Sequence, residues 1–146
     1  MLAQATDEGI VLRVMSSDLI DAVRLTLEHR PAVRLALVFG SVARGASDER
    51  SDVDVAVDAP GVDRLTLARD LSLAIGREVD VVDLAEAGYP LLSAIVRDGV
   101  VVAEHAPGAE ARWRTRALIT LDNDRVWFER MRDGYLARLA AGGRHG

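Results

Sequence analysis

The chain contains no cysteine and no lysine. Without cysteine, neither a disulfide nor a thiolate metal site can form. The three histidines, His29, His105 and His145, are scattered without ligand spacing. They are read as solvated surface residues rather than metal ligands. No apolar run approaches the ~20 residues needed to cross a bilayer. The opening stretch, "MLAQATDEGIVLRVM", is acidic where a secretory leader would be basic. A cytoplasmic location without membrane contact is therefore expected. The formal net charge is -5, the wrong sign for displacing counterions from a nucleic acid, so direct nucleic-acid binding is not expected. All 18 basic residues are arginine. Its planar fork suits phosphates and carboxylates, although the complete lack of lysine reflects compositional bias more than chemistry.

What is present suits a single small domain. The chain has 146 residues, 49% of them hydrophobic, enough for one packed core. "SDLIDAVRLTLEHR" at 17–30 starts on a capping serine and carries Leu19, Ile20, Val23 and Leu27 at helical spacing, with Pro31 as its stop. "VRLALVF" at 33–39 is almost continuously apolar, which predicts a central strand covered on both faces. Gly40 and Ser41 end it, a short helical turn over 42–44 stops at Gly45, and "ASDERS" reads as a polar loop. "DVDVAVD" at 52–58 alternates strictly, so Val53, Val55 and Val57 face one way and Asp52, Asp54, Ala56 and Asp58 the other. An amphipathic helix is expected over 63–75, a third strand over 78–84, a helix from about Gly88 to Val96 and a fourth strand over 100–104. From 109 to 140 there is no proline. Trp113, Ala117, Leu121, Phe128, Met131, Tyr135 and Leu139 form one helical stripe. "LDND" at 121–124 is a place where that helix could kink or divide.

Asp52 and Asp54 share a strand face. Two full charges ~5 Å apart cost roughly 3 kcal/mol at an effective dielectric near 20. A bound Mg²⁺ reverses that sign, because magnesium takes carboxylate oxygens together with substrate phosphates. The phosphates need a holder of their own. Gly40 allows close backbone approach, the turn after it presents backbone N–H groups, and Ser41 adds a hydroxyl. A loop that cradles phosphate, followed by a strand that clamps a metal, describes a site for a metal–nucleoside triphosphate. A second metal would need a third carboxylate. "EVDVVD" offers Asp80 and Asp83, which face opposite ways on a regular strand, and parity alone does not choose between them. The competing reading is a solvated, idle strand face. The Gly-Ser turn at this spacing weighs against it.

Gly40-Ser41, ten residues, then Asp52-Val53-Asp54 resembles the signature of the DNA polymerase β-like nucleotidyltransferase superfamily. The string "GSVARGASDERSDVDVAV" is similar to its minimal nucleotidyltransferase (MNT) branch, and "REVDVVDL" followed by "LLSAIVRDGVVV" resembles that branch's third strand and closing helix and strand. The resemblance spans roughly residues 20 to 104. It implies an α/β (α+β) nucleotidyltransferase fold with a small mixed sheet of about four strands and flanking helices. It implies Asp52, Asp54 and Asp80 as catalytic metal ligands, Gly40 and Ser41 as triphosphate binders, and Arg44 as the family's arginine, in contact with substrate or bracing the loop. Asp83 is then structural or surface. Magnesium, two ions, and ATP are the implied cofactor and substrate.

The expected organisation is an N-terminal extension (1–15), the nucleotidyltransferase domain (16–106) and a C-terminal helical tail (107–146) offered to a partner. In the MNT branch that partner is a HEPN-domain protein, an all-helical ribonuclease toxin. The resemblance thus implies an antitoxin in a hetero-oligomer that transfers AMP from ATP to a tyrosine of the toxin. Two alternatives are a small-molecule nucleotidyltransferase of the aminoglycoside type, and a non-catalytic antitoxin that masks its toxin.

Overall fold

The computed structural model describes residues 7–142. The elements run α1 (Asp7–Leu27), β1 (Leu35–Phe39), α2 (Gly40–Ala43), β2 (Val53–Asp58), α3 (Arg64–Ile75), β3 (Val79–Asp83), α4 (Tyr89–Asp98), β4 (Val100–Glu104) and α5 (Ala109–Gly142). The four strands form one mixed sheet in the order β3-β2-β1-β4. β1 pairs antiparallel with β2 and β4, whereas β2 and β3 run parallel.

The continuous apolar run of β1 has the expected cause. All five of its residues are buried, because helices cover both faces of the sheet. Ala36 and Val38 join Val53, Val55 and Val57 in a core closed by α1 and α3, through Val23, Leu27, Leu67 and Leu71. Leu35, Leu37 and Phe39 turn the other way, onto Leu92 and Ile95 of α4 and Trp113 and Ala117 of α5. Each such buried side chain contributes about 1.5–3 kcal/mol, so the middle strand anchors both cores. α3 starts where Asp63 accepts the Leu65 N–H and the Thr66 hydroxyl. It stops at Gly76, whose φ of 70° is left-handed.

Three expectations are altered. The first helix begins at Asp7, not Ser17. Gly9–Ser16 holds no proline, so the helix runs on through it, Ser17 is mid-helix and position 15 lies within α1. The same helix ends at Leu27, ahead of Pro31, and His105 is not simply solvated: its Nε2–H donates at 2.8 Å to the Leu27 carbonyl, which also accepts the Arg30 N–H at 3.0 Å. "LDND" does not divide the tail, for α5 is one helix of 34 residues. Three short polar residues, Asp122, Asn123 and Asp124, cost too little helix propensity to break it. Of the tail stripe, Trp113 and Ala117 are buried and Leu121 partly so. Phe128 stacks on Tyr89 with ring centroids 4.7 Å apart. Beyond it Met131, Tyr135 and Leu139 are more than half exposed. The last 14 residues of α5, ~21 Å of helix, overhang the domain. Among the described residues, no helix is long and apolar enough to cross a membrane.

Candidate functional site

The acids meet because of strand register. β1 delivers Phe39 opposite Asp54, and the parallel β2–β3 pair places Asp54 directly beside Asp80. Neighbours in register share a sheet face. Phe39, Asp54 and Asp80 therefore lie together on the α4/α5 side, at the end of the sheet where β1 hands over to α2. Asp52 is exposed and stands one residue ahead of β2, two from Asp54. Asp83 pairs with Val57 and so faces the opposite side. Its carboxylate accepts the Ala85 N–H at 2.8 Å and shapes the turn after β3. The parity left open by the sequence is thus resolved geometrically, with Asp80 beside Asp54 and Asp83 away from it.

Gly40 explains its own identity. Its φ is +74°, in the left-handed region, and a Cβ built there would lie on Asp54 Oδ2. The backbone of the Gly40-Ser41 turn is therefore pressed against the half-buried carboxylate of β2. Ser41, half-buried, returns its carbonyl to the Ala46 N–H at 2.9 Å. The loop that follows is ordered by groups that the sequence reading passed over. Ser16 Oγ of α1 and Ser47 Oγ are 2.6 Å apart, and both residues are buried. Arg77, just past α3, donates to the carbonyls of Asp48 and Ser51 at 2.5 and 2.6 Å. Asp48 accepts the Arg50 N–H, which holds its carboxyl below the usual range. These bonds fix the approach of the chain to Asp52.

Arg44 caps α2 and donates to Asp98 Oδ2 at 3.2 Å. The Asp98 side chain, only 11% exposed, is gripped from the other side by Arg97. The hydrogen bond from Arg97 outweighs the burial cost and, with a weaker one from Arg44, holds the Asp98 carboxyl below the usual carboxylate range. Arg44 thus ties the Gly40-Ser41 turn to the end of α4, while its charge still reaches Asp54. In the sequence Asp98 falls between the helix expected to end near Val96 and the strand expected from 100. No local pattern marks it, because its partner is 54 residues away.

The electrostatics of Asp54 are the most informative. Burial first, and then the charges of Asp80 and Asp52, push its carboxyl up, and Arg44 only partly opposes them. Excess negative charge on that scale suits a cation. Among the described residues, no three acids or histidines are drawn together as a ready-made metal cage. Magnesium does not require one, since it commonly uses one or two carboxylates plus substrate phosphates. By donor chemistry and by shared face, Asp52, Asp54 and Asp80 fit such an ion.

Comparison with known proteins agrees with this geometry. The protein adenylyltransferase MntA of Shewanella oneidensis is 33% identical over 81 residues, 53% of this chain and 58% of that protein. The matched stretch is thus little more than half the length of that relative. A crystal structure of a toxin-antitoxin with AMP-PNP superposes with a TM-score of 0.69 at 24% identity, covering 80% of this chain and 98% of the other. A tri-AMPylated Shewanella oneidensis HEPN toxin in complex with its MNT antitoxin gives a TM-score of 0.61 at 22% identity, covering 86% and 98%. These likenesses carry the four-stranded mixed sheet and its flanking helices as a nucleotidyltransferase fold. The family model for polymerase β nucleotidyltransferases matches residues 22–107, more than half of the chain. That span holds the Gly-Ser turn and Asp52, Asp54 and Asp80, and the chain accordingly belongs to the polymerase β nucleotidyltransferase family.

Proposed function

We propose that this protein is a magnesium-dependent nucleotidyltransferase that moves AMP from ATP to a tyrosine hydroxyl of a HEPN-type helical toxin, and so acts as its antitoxin. The observation that carries the reading is the Asp54–Asp80 register pair, with Gly40 seated against it and Asp52 two residues away. Asp52, Asp54 and Asp80 would hold Mg²⁺, two ions when fully loaded, and the metal would supply charge neutralisation for the phosphates and the leaving oxygen. The backbone N–H groups of the Gly40-Ser41 turn and the Ser41 hydroxyl bind the triphosphate. Arg44, held by Asp98, keeps that turn in place. The acceptor hydroxyl loses its proton to the Asp80 carboxylate and attacks the α-phosphorus, and pyrophosphate departs on the opposite side. The protein itself contributes positioning and charge, the usual terms in phosphoryl-group transfer.

The partner assignment rests on the likeness to toxin–antitoxin complexes together with the overhang of α5. Val126 and Trp127 just before that overhang, and Met131, Tyr135 and Leu139 within it, are each about half exposed, more apolar surface than a helix end needs on its own. A toxin subunit could cover that stripe and bring its tyrosine to the acids. The test is incubation with α-labelled ATP, Mg²⁺ and the HEPN partner. Label on the partner is expected, and it should vanish with Asp52→Asn/Asp54→Asn. If that double variant still neutralises the toxin without labelling it, the protein is a masking antitoxin and not an enzyme.

A further inference from the structure

A cavity of about 410 Å³ opens at the other end of the same sheet face, away from the acids. Asp58 in its wall lies four residues along β2 from Asp54, roughly 13 Å. Its apolar part is Leu84, Leu92 and the indole of Trp113. Its polar part is Arg34 and Asp58, which meet at 3.6 Å, and Arg116. The Arg34–Asp58 pair meets through Nε of the guanidinium. Arg116 has no ion pair among the described residues. The mouth therefore carries two cations against one anion, over an apolar floor with an aromatic wall. The nucleotide reading leaves this cavity unused.

We propose that the cavity is a second binding site, for a monoanionic aromatic carboxylate. Net charge selects the anion. One uncompensated cation balances one carboxylate, and Asp58 repels a polyanion such as a nucleotide triphosphate. The Arg116 fork accepts a carboxylate side-on, with two N–H donors to two oxygens. The flat body of the ligand lies along Trp113 and fills the space between Leu84 and Leu92, which a small inorganic anion would leave empty. The size lies in the range of small-ligand sites. Such a carboxylate can be a free acid or the terminus of a chain that ends in phenylalanine. Both share the chemistry that the site reads.

Titration calorimetry on the full chain separates these cases. The probes are 3-phenylpropionate, 3-phenylpropionamide and a short peptide with a C-terminal phenylalanine carboxylate. Binding of the acid or the peptide, but not of the amide, is expected. Arg116→Ala should weaken it about tenfold, the size of one charge-assisted contact. Thr120→Trp, at an exposed position on the cavity rim, should abolish it by filling the space. Asp54→Asn should leave it unchanged, which separates this site from nucleotide binding. A peptide that binds more tightly than the free acid identifies a chain terminus as the source, and the reverse order identifies a metabolite. Equal binding of acid and amide, an unweakened Arg116→Ala, or no heat from any probe would overturn the proposal.

Discussion

Asp54 and Asp58 sit on one strand, on one face, four residues apart, and their surroundings are opposite. Asp58 lies at the end of β2 beside Arg34, a cation 3.6 Å away. Asp54 lies beside another acid, Asp80, with Asp52 near and Gly40 against it. The first is a neutralised surface pair, whose worth is about 0–1 kcal/mol. The second stores unneutralised charge at a half-buried position. Identical residue types on an alternating strand thus acquire different roles from the strand that register brings alongside.

The sharpest way to break this contrast is chemical. Asp54→Asn should lower transfer of labelled AMP by at least about a hundredfold, the scale for losing a group that stabilises transition-state charge. Asp58→Asn should leave the rate near the parent's. Asp80→Asn and Asp83→Asn repeat the comparison on β3, with loss expected for the first and little change for the second. A rate that depends on Asp83 instead would contradict the register argument.

Stability gives the next largest effects. Ser47→Ala would leave the buried Ser16 hydroxyl without its partner and should cost about 1–3 kcal/mol in urea unfolding. Gly40→Ala should cost about 1–2 kcal/mol from the left-handed backbone alone, and more if Asp54 cannot swing away.

The smallest effect carries a sign that distinguishes the two ends of β2. The Asp54 carboxyl is raised in the folded state, so above that raised value the folded protein pays to keep it ionised. That penalty fades as pH falls through the folded value towards the unfolded one. Asp54→Asn should therefore raise the melting temperature of the metal-free protein at neutral pH, with a gain that shrinks on acidification. Asp58→Asn should lower it slightly. Mg²⁺ with ATP should raise the melting temperature of the parent but not that of Asp54→Asn.

Much of this was legible in the chain. The continuous apolar run before Phe39 announced a central strand, and strict alternation after Asp52 put the acids on one face. The Gly-Ser turn at its spacing distinguished a working face from an idle one. Asp80 and Asp83 could not be separated, since only the parallel register Asp54↔Asp80 decides between them. The bracing contacts were equally hidden. Ser16–Ser47, Arg77 on the 48–51 loop and Arg44–Asp98 each join positions at least 26 residues apart.

By itself the sequence determined the elements, the central position of β1 and the chemical character of the Gly40–Asp54 segment, because periodicity, turn chemistry and propensity act over a few residues. The tertiary structure alone decided which third acid joins the pair, what Asp98 holds, and that α5 runs past its own domain with its apolar stripe uncovered. Those outcomes depend on which distant segments come to lie side by side, and no local rule of spacing contains that information.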